Sequence, residues 1–318
     1  MEIILTGSVA YDYLMTFPGL FKEHFLPEKL DSISLSFLVD SMVRHRGGIA
    51  PNIAYTLALL GGKPRVMATV GEDFADYRAF LEAAGVDTQL MKVIEGKFTA
   101  SFFANTDQSN AQIASFYPGA MDHAGELSFH DLAEPPDLVV VSPNAPDAMV
   151  QYPVECQELG IPYLYDPSQQ IPRMSGEDLR AGVEGCYALM VNDYEFELVK
   201  KHTGMNGSEI LGGRAFTVVT RGEEGASIYV GDEEIHIPIV PPAQIADPTG
   251  VGDAFRGGFL TGYSHSLDWE ICGKIGALAA TYCLEAKGTQ EHSYTPQEFI
   301  TRFREYFDDD DALNRLAR

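Results

Sequence analysis

The sequence predicts an α/β protein whose helices cover both faces of a mostly parallel central sheet, with a small β-sheet lid beside it. Short, continuous apolar segments such as residues 138–141 alternate with helical segments, and such runs are typical of strands buried on both faces. Two alternating segments flank the polar turn at residues 107–110 and indicate a β hairpin that interrupts this rhythm. The chain therefore combines a large three-layer α/β/α part with a smaller β part.

The central sheet is predicted from apolar runs that end in turn or polar residues. The predicted strands are 2–6, 65–70, 138–141, 163–165, 188–191 and 216–220, with a hairpin at 227–230 and 234–239. The predicted helices are 51–60, 74–84, 253–265 and 268–286. Pro51 suits the first turn of its helix, and Gly61 suits the position after its last turn.

The lid is predicted from two separate insertions. Residues 32–39 alternate between polar and apolar types, which predicts a half-exposed strand, and residues 98–106 and 111–117 form the hairpin. We therefore divide the chain into two parts. The large α/β domain comprises residues 1–10, 49–97 and 119–318, and the discontinuous lid comprises residues 11–48 and 98–118.

Composition narrows the classes of function. The chain has 318 residues, 45% of them hydrophobic, and a formal net charge of -24. Nucleic acids and anionic membranes need clustered Lys and Arg, so neither is expected as a partner. The sequence shows neither a secretory leader nor an apolar run of membrane-spanning length, so we expect a cytoplasmic protein. The scattered cysteines and histidines show no metal-ligand spacing.

Residues 247–258 form a glycine-rich turn that runs into a helix. Gly250 and Gly252 allow close backbone approach to a ligand, and the free N–H groups of a helix start favour an anion. Asp253 lies where that helix begins. A carboxylate beside an anion site suggests a proton acceptor, although an ordinary first-turn aspartate would give the same local pattern.

Polar residues follow several predicted strands, and the carboxyl ends of such strands form the ligand-binding rim of open α/β sheets. The residues at this rim are Asn192, Glu195, Thr220 and Gly222. A second glycine pair, Gly47 and Gly48, precedes the helix that carries Asn52. On the residues alone, Asp12 could be a turn aspartate, and the lid phenylalanines Phe102 and Phe116 could belong to a core.

Three common site motifs are absent from the sequence. These are the Gly-x-x-x-x-Gly-Lys-[Ser/Thr] loop, a Gly-x-Gly-x-x-Gly turn after a strand, and a Gly-x-Ser-x-Gly elbow. P-loop NTPases, simple dinucleotide enzymes and α/β-hydrolases are therefore disfavoured.

The sequence Asp-x-Thr-Gly-x-Gly-Asp-Ala-Phe at residues 247–255 resembles the C-terminal signature of the PfkB, or ribokinase-like, carbohydrate kinases. Residues 47–62 resemble the N-terminal signature of that family, and residues 192–195 and 220–222 resemble its magnesium/phosphate and nucleotide motifs. The four motifs stand in family order and span most of the chain. The resemblance implies a ribokinase-like fold and ATP-dependent phosphorylation of an alcohol.

Further segments resemble the bacterial adenosine kinases of mycobacterial type within that family. These segments are residues 6–8, 34–40, 45–48, 111–121, 166–170 and 288–291. This narrower resemblance implies phosphorylation of the ribose 5′-hydroxyl of adenosine. Ribokinases usually carry Gly-Gly-Lys-Gly at the first motif, whereas Ile49 and Ala50 fill the last two places here.

The resemblance implies a role for each candidate residue. Asp253 would be the general base, with the backbone of Gly250, Val251 and Gly252 completing an anion hole. ATP would contact Asn192, Glu195, Thr220 and Gly222, and Glu195 would hold Mg²⁺ through water. The nucleoside would contact Ser8, Asp12, Ser36, Gly48, Asn52, Phe102, Phe116, Gln169 and Gln170.

The resemblance also implies a monovalent cation such as K⁺ near Asp247 and Gly288, and a homodimer formed through the lid. Two alternatives stay open at this stage. One is a sugar kinase of the same family, of ribokinase or phosphofructokinase type, with Arg44 and Arg46 near enough to hold a sugar phosphate. The other is a nucleoside-binding protein without catalysis.

Overall fold

The computed structural model describes residues 1–25, 27–32 and 34–316. Its strands are β1 (Ile3–Thr6), β2 (Ala10–Thr16), β3 (Ser41–Gly47), β4 (Arg65–Val70), β5 (Met91–Val93), β6 (Ala100–Thr106), β7 (Gln112–Tyr117), β8 (Leu138–Val141), β9 (Tyr163–Tyr165), β10 (Ala188–Asn192), β11 (Phe216–Thr220), β12 (Ala226–Val230) and β13 (Glu233–Ile237). The α-helices are α1 (Ile49–Leu59), α2 (Ala75–Ala84), α3 (Pro146–Leu159), α4 (Gly176–Gly185), α5 (Asp193–Thr203), α6 (Gly207–Leu211), α7 (Val251–Ser264), α8 (Trp269–Leu284) and α9 (Pro296–Tyr306). Short 3₁₀ helices occupy several of the connections.

The central sheet of the described residues has nine strands in the order β13-β12-β11-β10-β9-β8-β1-β4-β5. Pairing is parallel from β11 to β5 and antiparallel for the β11–β12 and β12–β13 pairs. Alternate residues of β8 enter different hydrophobic clusters: Val140 packs into one and Val139 into the other. Both faces of the sheet are therefore buried, and the predicted α/β fold with a mostly parallel sheet is confirmed.

The smaller sheet has the strand order β3-β2-β6-β7. Its strand β2 begins only four residues after β1 ends, so this sheet leaves the central sheet directly at the carboxyl end of β1. The outer strand β7 is exposed along its whole length. These four strands supply the predicted lid, whereas the exact division into two domains stays a prediction.

The prediction of a strand at residues 32–39 is wrong. Ser32 ends a 3₁₀ helix, Ile33 lies outside the described residues, and residues 34–39 have no strand partner. Phe37 instead packs edge-on against Phe17 and Phe21. The alternation therefore reflects the half-buried Phe37 and Val39 among exposed neighbours, and the lid strand lies after them, at β3.

The charge of the acidic run at residues 308–311 predicts a solvated tail, and Asp308, Asp310 and Asp311 are exposed, but Asp309 is not. Asp309 is 6% exposed and forms an ion pair with Arg304 at 2.9 Å. Its other oxygen accepts a hydrogen bond from the Leu313 amide at 2.9 Å. The run is thus part of the folded C-terminal segment.

Candidate active site

The turn before α7 is held in place by Asp247. Its two carboxylate oxygens accept hydrogen bonds from the amides of Thr249 at 2.9 Å and Gly288 at 3.1 Å. Gly250 has φ 78°, and a Cβ there would lie 2.8 Å from the Thr289 side chain, so a glycine is required at this position. The first intrahelical bond runs from Ala254 N to Gly250 O. The amides ahead of it lie at the positive end of the helix dipole.

Asp253 lies in the first turn of α7 with its side chain 13% exposed. Its Oδ2 accepts a hydrogen bond from Asn52 Nδ2 at 2.8 Å, and its Oδ1 lies 3.8 Å from the Arg256 guanidinium. Burial raises the pKa of Asp253 to about 7, although Arg256 and Asn52 act in the opposite direction. A carboxylate with a pKa near neutrality is suited to accept a proton from a hydroxyl group.

Arg256 is a site residue that was not predicted from the sequence. Its Nη2 lies 2.7 Å from Asp166 Oδ1, and both side chains are almost completely buried. Ser168 donates a hydrogen bond to the same Asp166 oxygen at 2.5 Å. Burial and the nearby Asp166 raise the pKa of Glu195. One buried cation is therefore surrounded by three carboxylates, and its only sequence signal was a lone arginine in an apolar helix.

Asn192 and Glu195 form the N-terminal capping box of α5. The Glu195 amide donates to Asn192 Oδ1 at 2.7 Å, and the Asn192 amide donates to Glu195 Oε2 at 2.8 Å. Part of the Asn-x-x-Glu pattern is thus explained by helix capping. Both residues nevertheless line the cavity beside Asp253.

This first cavity has a volume of about 490 Å³ and lies between the central sheet and the lid. It brings together most of the predicted substrate and catalytic residues, namely Ser8, Asp12, Gly48, Asn52, Phe102, Phe116, Gln169, Gly250, Gly252 and Asp253. Ser36 and Gln170 are not among its lining residues: Gln170 is 5% exposed, and Ser36 lies in the exposed segment before β3.

The lid wall of the cavity is a row of side chains across four strands. In the strand register His45 lies opposite Asp12, Asp12 opposite Phe102, and Phe102 opposite Phe116. Asp12 thus lies on strand β2, within the residues predicted for the lid, and is not a turn aspartate. Burial raises the pKa of Asp12 to about 6, whereas the nearby His45 acts to lower it.

A second cavity of about 860 Å³ lies on the other side of the glycine turn. Its lining includes the predicted Gly222 and Val251 and is otherwise largely apolar, with Ile237, Ile239, Val240, Pro242, Ile245, Phe255, Ala277 and Leu284. The two cavities share Asn192, Thr220 and Gly252 in their linings. They therefore meet beside Asp253. No sequence pattern predicts the apolar lining, because isolated Ile and Ala residues form no motif.

Two features are absent from the described parts of the chain. Residues 1–25, 27–32 and 34–316 contain no cluster of three or more His, Cys, Asp or Glu side chains arranged to hold a metal directly. Within the same ranges, no helix combines the length and the apolar character needed to cross a bilayer.

The fold and the glycine turn with its aspartate define a phosphotransferase-like site, and comparison with known proteins identifies the family. The chain belongs to the PfkB family of carbohydrate kinases, whose sequence pattern matches residues 7–296. A nucleoside kinase of Methanocaldococcus jannaschii is 29% identical over 310 residues, which cover 96% of this chain and 97% of the relative.

Two solved structures that are similar over almost the whole chain are also nucleoside kinases. The Burkholderia thailandensis nucleoside kinase in complex with inosine has a TM-score of 0.86 and 36% identity, covering 96% of this chain and 99% of its own. The same enzyme in complex with ADP-inosine has a TM-score of 0.83 and 38% identity, covering 96% of each chain. The predicted family is confirmed. The narrower prediction of an adenosine kinase is not confirmed, because these relatives are described as nucleoside kinases.

Proposed function

We propose that this protein is an ATP-dependent nucleoside kinase that phosphorylates the 5′-hydroxyl of purine nucleosides, adenosine among them. The observation that carries the proposal is the position of Asp253 where a lid-covered polar cavity and an apolar cavity meet. The first cavity would take the nucleoside and the second the adenine of ATP. The nucleoside kinases described above are similar over almost the whole chain, which supports this assignment.

In the proposed reaction, Asp253 takes the proton of the 5′-hydroxyl as the 5′ oxygen bonds to the γ-phosphorus of ATP. The bond from the γ-phosphorus to the β,γ-bridging oxygen breaks, and ADP leaves. The amides of Gly250, Val251 and Gly252 would donate to the phosphoryl oxygens, where negative charge develops. Closing the lid over this site would exclude water and suppress hydrolysis of ATP.

Asp166 and Glu195 supply hard oxygen donors of the kind Mg²⁺ prefers, which leaves Asp253 free to act as the base. Asp166 Oδ2 is buried and has no hydrogen-bond partner among the described residues, so this group has unused acceptor capacity. When bound, Mg²⁺ neutralises phosphate charge, and Glu195 would hold it through water. A monovalent cation beside Asp247 and Gly288 stays a prediction.

The cavity wall supports a ribose and a purine. Asp12 can accept hydrogen bonds from two vicinal hydroxyl groups, and Phe102 and Phe116 offer aromatic faces for a base. Gln169 is an exposed side chain lining the same cavity. Its carboxamide both donates and accepts, so it suits a 6-amino purine and a 6-oxo purine equally.

A phosphofructokinase needs cations that hold the phosphate of its substrate, and the two arginines nearest in sequence to the first motif, Arg44 and Arg46, contact other side chains. Arg44 forms an ion pair with Asp76, and Arg46 packs over the Phe80 ring at 4.1 Å from its centroid. Neither arginine lines the first cavity in the described part of the chain. Arg256 does line the cavity, but it is paired with the buried Asp166 and also lies near Asp253 and Glu195. The site therefore supports a neutral acceptor better than a sugar phosphate.

A substrate panel tests the proposal. Adenosine, inosine, guanosine, ribose and fructose 6-phosphate are each supplied with ATP and Mg²⁺, and ADP release is followed. We expect the purine nucleosides to have the highest kcat/KM values. Preference for ribose or fructose 6-phosphate would support the sugar-kinase alternative, and tight adenosine binding without ADP release would support a non-catalytic binding protein.

The Phe116→Ala variant is expected to raise the KM for the nucleoside about tenfold, because stacking on a base contributes on the order of 1–3 kcal/mol. The KM for ATP should change by less than about twofold. Phe103→Ala is the matched control, since Phe103 lies on the neighbouring strand and stacks on Tyr13 with ring centroids 4.8 Å apart. Equal effects of Phe116→Ala on both KM values would contradict a role in binding the base.

We further propose that two lids associate through their edge strands in a homodimer. Met42 on β3 is 61% exposed and Ile113 on β7 is 42% exposed, and strand edges of this kind are ready to pair with a second chain. The combined Met42→Lys and Ile113→Lys variant is expected to sediment as a monomer. Leu159→Lys, an exposed position on α3, is the control. A wild-type monomer at micromolar concentration would contradict the dimer.

A further inference from the structure

Gln290 lies in the loop after α8 and is 2% exposed. Its Nε2 lies 2.7 Å from Asn52 Oδ1 and 2.5 Å from the Tyr77 hydroxyl oxygen. Asn52 in turn donates to Asp253. A buried hydrogen-bond chain thus runs from α2 through the loop and α1 to the carboxylate on α7.

The direction of each hydrogen bond in this chain is fixed from its two ends. The Tyr77 hydroxyl donates to Gly47 O at 2.9 Å, so its oxygen can only accept from Gln290. At the other end an ionised Asp253 can only accept, so Asn52 turns its N–H to Asp253 and its oxygen to Gln290. Both ends therefore require the same arrangement, in which the Gln290 amide supplies both hydrogens.

We propose that Gln290 is a positioning residue of the phosphoryl-transfer site, which holds the Asn52 amide with its N–H directed at Asp253. The inference rests on the proposed role of Asp253 as the base. In this orientation the Asn52 amide stabilises the ionised carboxylate, which is the form that accepts a proton.

Without Gln290, the Asn52 side-chain amide is free to rotate by about 180°, which exchanges the positions of its oxygen and its nitrogen. Its oxygen would then face Asp253, an arrangement that suits only the protonated carboxyl group. The titration of Asp253 also depends on the ionisable groups that face it from neighbouring elements. These are Arg256 on the same helix, Asp166 after β9, Glu195 on α5 and Cys283 on α8.

The test is a titration of the Asp253 carboxyl carbon by ¹³C NMR in the ligand-free protein, with the signal assigned from Asp253→Asn. Gln290→Met keeps the length of the side chain and removes both hydrogens. We expect its Asp253 titration midpoint to rise by about one pH unit. In an Asn52→Ala background the same substitution should produce no further shift, because the link to Asp253 is already broken.

His292→Leu is the matched control. His292 is buried in the same loop, but its ring contacts Thr56 Oγ1 at 3.3 Å. The His292→Leu substitution should lower the melting temperature and leave the titration midpoint of Asp253 unchanged. An unchanged midpoint in Gln290→Met, or additive shifts in the two backgrounds, would overturn the proposal. The readout needs no substrate, so a wrong acceptor assignment would appear in the substrate panel and not here.

Discussion

Replacement of Asp253 by asparagine is expected to lower kcat by about 10³-fold or more, because a positioned general base contributes on the order of 10²–10⁴-fold. Asparagine can still accept the hydrogen bond from Asn52 Nδ2 that is observed at 2.8 Å in the structure. The affinities for ATP and nucleoside should therefore stay within about threefold of wild type, since the change removes a proton acceptor and little volume.

The pH dependence follows from the same residue. Since burial raises the pKa of Asp253 to about 7, kcat/KM in the wild type should fall as the pH drops below about 7. The effect on stability has the opposite sign. A raised folded-state pKa stabilises the protein below the unfolded pKa of about 4, and this contribution is lost as the pH rises through 7.

Asp253→Asn should therefore melt at the same temperature as the wild type or higher at pH 8, although it has lost its activity. Single-turnover kinetics, equilibrium nucleotide binding and thermal melting measure the three quantities. Asp122→Asn, an exposed position on a 3₁₀ helix, is the control for loss of a negative charge. A variant that keeps more than a tenth of wild-type kcat would rule out Asp253 as the base.

Replacement of Arg256 by methionine is expected to lower the free energy of unfolding by about 3 kcal/mol or more. The reason is that removal of one member of a buried ion pair leaves the other charge without a partner. The Arg256 and Asp166 side chains are 11% and 0% exposed, and the change leaves Asp166, Asp253 and Glu195 without their cation. The Asp253 titration should also move upward, since Arg256 favours its ionised form.

Urea unfolding measures the first effect. The double variant Arg256→Met and Asp166→Leu should recover part of the stability, because both members of the buried pair are then replaced by apolar groups. Arg180→Met, which breaks an exposed ion pair with Glu184 on α4, should cost less than about 1 kcal/mol. If Arg256→Met and Arg180→Met lowered the free energy of unfolding equally, the buried cluster would contribute no more to stability than an exposed ion pair.

The sequence predicted the central sheet well, because each strand has a local signal. The predicted strands 65–70, 138–141, 163–165 and 216–220 agree with the structure to the residue. They are predominantly apolar runs followed by polar or glycine residues, and burial on both faces favours that pattern. The glycine turn and Asp253 were found for a similar reason, since their spacing is local.

Features that depend on contacts between distant segments could not be predicted in this way. Gln290 and Asn52 are 238 positions apart in the sequence, and Arg256 and Asp166 are 90 apart. The pattern at residues 32–39 predicted a strand, but a strand also needs a partner, and sequence alternation does not identify one. The apolar second cavity is assembled from single residues of several elements, so it has no sequence motif either.

In the proposed complex, the first cavity holds a nucleoside with its 5′-hydroxyl at Asp253. Phosphorus NMR of the product formed from adenosine, ATP and Mg²⁺ tests it most directly. We predict a monoester resonance split by the two hydrogens of the 5′ carbon. It should be absent with 5′-deoxyadenosine, and undetectable with the Asp253→Asn variant over the reaction time used for the wild type. Phosphorylation at the 2′ or 3′ oxygen, or turnover of ribose without turnover of any nucleoside, would contradict this arrangement.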